Sequence, residues 1–345
     1  MKIGIIGAIG VGKTTVFQAL TGLPAATGQA EAKNRARPGQ IKVSDPRLDL
    51  LENLYGSKKK LPVELTLLDF AANPKEHGKL IDPALFVLAR DLDALLIVVA
   101  GFANPGPIGA ALTAVDDELV FADFDQAERR LERVRKDRSA SDFERAALER
   151  ILKWLETGAP LRTLEMTPQE ERIFSSFGFL SRKPALVVVN CEIEDAAAPP
   201  DPADRELAAA RGLELFKLAA AFEAELWELS AGEQADLLRE AGLEAPARDR
   251  LEAALYRRLG LLTFYTAGEP EAHAWSLTAG STALEAAARI HTDIARGFIR
   301  AEVVSFEDFA ALRTDAKVKE AGKLRLEGKD YVMRDGDIIH IRFKI

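Results

Sequence analysis

Cysteine is almost missing from this 345-residue chain, with Cys191 standing alone. No disulfide can form within it, and a reducing compartment is expected. Long hydrophobic runs are missing as well. The most apolar stretch, ALLIVVAGFA at 94–103, is about half of a membrane span. The opening MKIGIIG is too short for a signal peptide, is broken by glycine, and runs straight into a helix pattern. A cytoplasmic protein without a membrane partner is expected. There is no basic excess: 46 Lys and Arg face 54 Asp and Glu, for a net charge of -8. The chain as a whole is not built to coat nucleic acid, although one face still could be, and no DNA specificity is expected. Repeats and low-complexity tracts are also missing. What is present is 48% hydrophobic and 29% charged, the balance of a globular protein, at a length that suggests two or three domains.

The first 115 residues read as α/β. KIGII is a short apolar run of the kind found in a buried parallel strand. KTTVFQALTG follows as a helix, with Val16, Phe17 and Leu20 on one face and Gly22 and Pro24 ending it. VELTLLDF (63–70), ALLIVVA (94–100) and LVVVN (186–190) supply further strands. Apolar strands alternating with helices predict a doubly wound, mostly parallel sheet. From 116 to 157 the character changes. Val120, Phe124, Ala127, Leu131 and Val134 have the 4-3-4-3 spacing of a coiled-coil seam. RSASD (138–142) interrupts it, and Phe143, Ala147, Leu148, Ile151, Leu152 and Leu155 resume at helical spacing, so an antiparallel helical hairpin is expected. TAGEPEAHA (266–274) reads as a linker into a small α+β module. That module ends in two or three strands joined by EGKD and RDGD turns.

The stretch Gly7-Ala8-Ile9-Gly10-Val11-Gly12-Lys13-Thr14 fits the phosphate-loop pattern G-x-x-x-x-G-K-[ST], with a strand before it and a helix after it. Glycines let successive backbone N–H groups turn inward around anionic oxygens, and the positive end of the helix adds to the attraction. Lys13 would reach the β and γ phosphates, and the Thr14 hydroxyl would ligate Mg²⁺. Thr15 completes the binding stretch. ATP or GTP is the expected ligand.

Beyond the loop, SDPRLDLL (44–51) and DRLEAALYRRLGLLTFYTAG (249–268) resemble the YchF or Obg-like ATPase family, translation-factor-class P-loop proteins. So do AWSLTAGSTALEAAARIHTDIARGFIRAEVVSFEDF (274–309) and KEAGKLRLEGKDYVMRDGDIIHIRF (319–343), which resemble that family's TGS domain, a β-grasp module. The resemblance covers nearly the whole chain. It implies a P-loop nucleotide-binding domain at 1–115 and 183–265, a helical coiled-coil insertion at 116–182 and a TGS domain at 266–345. It also implies an NTPase that associates with ribosomes and often prefers ATP over GTP.

Several family motifs are altered here. Asp69 occupies the Mg²⁺-linked aspartate position, but Ala72 replaces the glycine that follows, and no glutamine stands at the usual GTPase spacing. AEAKNRARPG (30–39) offers no switch threonine, only Lys33, Arg35 and Arg37 as basic groups. At the base-binding motif, Asn190 is present, but the acid expected three residues on is Ile193, flanked by Glu192 and Glu194. A displaced acid favours ATP or loose purine specificity over guanine. The second base loop falls on Ala219-Ala220-Ala221, and the loop histidine position falls near Gly109. Two readings follow. One is a slow Mg²⁺-dependent NTPase switch, with Lys13 catalytic, Thr14 and Asp69 on the metal, and Asn190 and Glu192 at the base. The other is a hydrolysis-deficient scaffold that binds ribosome or structured RNA. Residues 317–345 hold eight basic against five acidic side chains, a mild local excess suited to RNA phosphates. A monomer is expected.

Overall fold

A computed structural model describes residues 1–24, 36–70, 80–102, 106–137 and 141–344. Twelve strands lie among them: β1 (Lys2–Ile6), β2 (Ala36–Lys42), β3 (Lys60–Leu61), β4 (Glu64–Phe70), β5 (Ala94–Gly101), β6 (Ala185–Cys191), β7 (Leu215–Leu218), β8 (Leu261–Ala267), β9 (Ala272–Thr278), β10 (Phe298–Ser305), β11 (Arg325–Glu327) and β12 (Asp337–Phe343). The first five helices are α1 (Lys13–Thr21), α2 (Pro46–Tyr55), α3 (Pro83–Ala89), α4 (Ile108–Lys136) and α5 (Asp142–Leu155). The chain divides into two compact units. One comprises Met1–Ile41 and Leu65–Ala254, the other Lys42–Glu64 and Leu255–Ile345. Among the described residues no helix is long and apolar enough to cross a membrane.

The first unit is the α/β fold that the apolar runs predict. Its sheet has the order β2-β4-β1-β5-β6-β7, and β4, β1, β5, β6 and β7 pair in parallel. Ile6, Ile97, Val99, Val187 and Val189 are buried in one core cluster, together with Leu112, Val115 and Leu119 of α4. Strands covered on both faces must be apolar throughout, which is why these segments show no alternation. The register sets Ile5 opposite Asp69, so the carboxylate stands beside the end of β1.

The helical hairpin follows the expected seam. Val120, Ala127, Leu131 and Val134 pack against Ala147, Leu148, Ile151, Leu152 and Leu155. Its first helix starts earlier than expected, at Ile108 rather than 116. The reason is that α4 serves two cores: its first turns bury Leu112 and Val115 against the sheet, and its later turns build the hairpin. Two fully buried carboxylates pin it. Asp116 pairs with Arg162 and, at 2.9 Å, with Arg211. Asp123 accepts from the N–H groups of Leu180 at 2.9 Å and Ser181 at 2.7 Å. Buried carboxylates need such donors, because leaving them unpaired is costly.

The second unit is built on a mixed sheet of order β11-β10-β12-β8-β9-β3. β10 runs antiparallel to β11 and β12, β12 parallel to β8, and β8 antiparallel to β9. One face packs on the helix Ala283–Ile290, burying Phe264, Ala286, Val303, Ile339 and Ile341. Two boundary expectations change here. TAGEPEAHA is not a linker: it is the end of β8, a turn closed by Gly268 N–H donating to Glu271 at 3.1 Å, and the start of β9. Residues 42–64 also join this unit. Arg47 donates to Asp45 at 3.1 Å and to Asp335 at 2.6 Å, the Tyr265 hydroxyl donates to Asp45, and Tyr55 stacks on Phe309 at 4.9 Å. An apolar run such as LLTFYTA cannot say from its own pattern which sheet it enters.

Candidate functional site

The loop between β1 and α1 is shaped by two glycines. Gly7 has φ 150°, and a Cβ there would lie 2.3 Å from the Val98 carbonyl oxygen. Gly12 caps α1 with φ 87°, and its Cβ would lie 2.3 Å from the Asn190 amide nitrogen. Any side chain would be both strained and obstructed at either position. Val16, Phe17, Ala19 and Leu20 bury the inner face of α1 and fix the direction of its N-terminus. Ala8, Thr14 and Thr15 are half-buried, and Ile9 stands 62% exposed at the loop tip. Among the described residues no acceptor meets the backbone N–H groups of Gly10, Val11, Gly12, Lys13 or Thr14. Unpaired donors at a helix start form an anion site.

Lys13 folds over this loop. Its ammonium donates to the carbonyls of Gly7 at 2.9 Å and Ala8 at 2.6 Å. Burial lowers its pKa, and the Asp69 carboxylate opposes the shift. The Thr14 hydroxyl donates to Asp69 Oδ2 at 3.1 Å. Asp69 is 7% exposed, and its other oxygen, Oδ1, is buried without a hydrogen-bond partner among the described residues. Burial raises its pKa, opposed by the Thr14 hydrogen bond and by Lys13 and Arg37. A hydroxyl beside a carboxylate with an orphan oxygen is a donor set for a hard cation. Mg²⁺ takes few protein ligands and completes its shell with water and phosphate. The residues present therefore fit Mg²⁺. No cluster of three His, Cys, Asp or Glu side chains exists among the described residues, so the donor set for a soft metal is not found there.

Asn190, at the end of β6, does more than the sequence indicated. Its amide nitrogen donates to the Val11 carbonyl at 3.1 Å, and its oxygen accepts from the Ala220 N–H at 3.2 Å. It joins the phosphate loop to the Ala219-Ala220-Ala221 segment. No sequence signal marks this, because the contact unites three segments far apart in the chain. Glu192 and Glu194 are exposed, whereas Ile193 packs partly into the apolar cluster of Cys191, Ala219 and Leu226.

The remaining motif positions separate. Arg37 lies in strand β2, not in a loop, and sits over the Phe17 ring at 5.1 Å. Lys33, Arg35, Ala72 and His77 lie outside the described residues. Gly109 is in the first turn of α4. It donates its N–H to Asp204 at 3.0 Å, and a Cβ would come within 2.7 Å of Leu207. A side chain there would have to displace the Leu207 methyl and crowd the Asp204 carboxylate. His273, His291 and His340 all belong to the second unit.

Comparison with known proteins bears on the whole chain. The YchF-GTPase C-terminal family, described as "Protein of unknown function (DUF933)", matches residues 261–344. The "Ribosome-binding ATPase YchF" of Haemophilus ducreyi is 36% identical over 362 residues, covering 100% of this chain and 99% of that protein. The protein of the same name from Bacillus subtilis is 35% identical over 368 residues, covering 99% of each. The structure of the Schizosaccharomyces pombe YchF GTPase superposes with a TM-score of 0.84 at 27% identity, covering 99% of this chain and 97% of that one. Likeness of this depth along the full length, together with the phosphate loop and its Thr14–Asp69 pair, makes this chain a member of the YchF family.

Proposed function

We propose that the chain binds a purine nucleoside triphosphate with Mg²⁺ at residues 7–15, hydrolyses it slowly, and works as a ribosome-associated switch. The observation that carries this is the Thr14–Asp69 pair, with its orphan oxygen, beside a loop whose N–H groups from Gly10 to Thr14 meet no acceptor among the described residues. Lys13 leaves the Gly7 and Ala8 carbonyls to meet the β and γ phosphates, and the N–H groups from Gly10 to Thr14 cradle them. Thr14 and Asp69 hold Mg²⁺, which, when bound, neutralises charge on the phosphate oxygens. These groups position and neutralise, which suits slow turnover. Asn190 holds the loop under the base, with Glu192 at its edge. The partly buried Ile193 in the usual acid position supports ATP or loose purine specificity. The Haemophilus ducreyi and Bacillus subtilis relatives are named ribosome-binding ATPases, and the basic C-terminal residues support contact with ribosomal or other structured RNA. A cytoplasmic monomer is proposed.

Gly109, which packs against Asp204 and Leu207 where the family has a histidine, favours a second reading, a hydrolysis-deficient nucleotide-binding scaffold that binds ribosome or RNA through the helical arm and the C-terminal domain. Calorimetric titration with ATP and GTP, with and without Mg²⁺, on the wild type and Lys13→Ala tests the binding. Hydrolysis assays with and without ribosomes separate the two readings. Turnover that the ribosome does not change and Lys13→Ala does not reduce would reject the first.

A further inference from the structure

Away from the nucleotide loop, the first unit carries an apolar groove between α3 and the outward face of α4. Phe86, Val87, Phe121 and Ala122 line it, and its volume is about 580 Å³. Val87 and Phe121 are each 69% exposed. Other residues anchor both helices: α3 buries Leu85 and Ala89, and α4 buries Leu119, Val120 and Ala127. Single exposed apolar residues are ordinary, but these two stand together in one groove.

The charges around the groove choose among partners. Glu118 lies toward one end of the stripe, and Arg129 and Arg133 toward the other. Arg129 already pairs with Asp125 at 2.6 Å, and Arg90 with the buried Asp123 at 3.2 Å. An RNA phosphate would therefore meet carboxylates as often as free cations, which disfavours nucleic acid. Positions 118, 121, 122, 125, 129 and 133 recur at helical spacing along one face of α4. From 118 to 133 that stripe is about 22 Å long, or four helical turns.

We propose that this groove docks an amphipathic helix of a ribosomal protein. The apolar stripe of that helix covers Phe121 and Val87. An acidic residue faces Arg133, beside the Arg129–Asp125 pair, and a basic one faces Glu118. This rests on the ribosome association proposed above.

The test is co-sedimentation of the full chain with purified ribosomes across a salt series, for the wild type, Val87→Ser, Phe121→Ser and the double reversal Arg129→Glu with Arg133→Glu. All four side chains are exposed, so nucleotide affinity should stay at the wild-type value, and only the double reversal, which replaces the Arg129–Asp125 pair by like charges, should lower the melting temperature slightly. Each serine variant is expected to weaken ribosome binding about tenfold, as loss of an apolar anchor does, with little change in salt slope. The double reversal should weaken it as well. If the wild type and every variant sediment alike, the groove is not the contact, and ribosome association stands without it. If only the double reversal weakens binding, and it flattens the salt slope, RNA is the partner and the proposal is overturned. If the wild type does not sediment, ribosome association fails, and this proposal fails with it.

Discussion

Replacing Asn190 by alanine should destabilise the protein before any nucleotide is added. Asn190 is 6% exposed, and its amide makes two hydrogen bonds, to the Val11 carbonyl and from the Ala220 N–H. Ala220 is fully buried, so its N–H would have nowhere else to go. A buried donor left unpaired costs about 1–3 kcal/mol. Adding the freed Val11 carbonyl and the lost packing brings the total to about 2–4 kcal/mol. For a unit of this size that lowers the melting temperature by roughly 5–10 °C. Asn190→Asp keeps the acceptor for Ala220 but turns a carboxylate toward the Val11 carbonyl, so it should cost more than alanine. The assay is calorimetric melting of the nucleotide-free protein. A residue that only touches the base would leave this melting point where it was. Unchanged melting of Asn190→Ala would refute the clamp.

Three further outcomes follow from local geometry. Gly109→His should not restore fast hydrolysis; it should destabilise by about 1 kcal/mol, because only the movable end of Leu207 and the Asp204 carboxylate stand in the way, and a variant with wild-type melting and faster turnover would contradict this. Glu170 accepts from Arg150 twice at 2.9 Å and from the Thr167 N–H at 2.8 Å. Burial would raise its pKa, but these bonds outweigh it and the net shift is downward from the ordinary 4.5. Its contribution is therefore fully present above pH 4.5 and is lost as pH falls through the lowered value. Glu170→Gln should cost about 1–2 kcal/mol at neutral pH and shrink the acid limb of the stability profile, whereas an identical acid limb would reject this assignment. His273 stacks on Trp275 at 3.6 Å, and burial, aided by Arg289 against Glu271, lowers its pKa below 6.5. Its folded form resists protonation, so stability should fall as pH drops below 6.5, and tryptophan emission should change with a midpoint below that value. A midpoint above 6.5, or the same transition in His273→Gln, would contradict it.

What could be seen in the sequence was what is local. The strand Lys2–Ile6, its glycine loop and helix α1 are contiguous, and each residue type there has one chemical reason. Asp69 could be found because the family resemblance places its Mg²⁺-linked aspartate at the end of VELTLLD, and the structure pairs that strand with β1. The hairpin seam was visible because its period is written along the chain. What stayed hidden depends on distant segments. Arg47 and Asp335 are 288 positions apart, and Tyr265 and Asp45 are 220 apart, so nothing nearby shows that 42–64 belongs with the second sheet. The start of α4 was hidden for another reason: GPIGAAL is rich in small residues and reads as a loop until the Leu112 and Val115 contacts supply its buried face. The Asn190 clamp needs Val11 and Ala220 as well, and those contribute backbone atoms, which leave no mark on side-chain identity.

The most direct test of the nucleotide site is titration of the wild type and Lys13→Ala with ATP and with GTP, in Mg²⁺ and without it. Micromolar binding that needs Mg²⁺ and is lost with Lys13 is the predicted result, with ATP bound at least as well as GTP. Binding of neither nucleotide by the wild type, or equal binding by Lys13→Ala, would contradict the account and leave residues 7–15 a turn without a ligand.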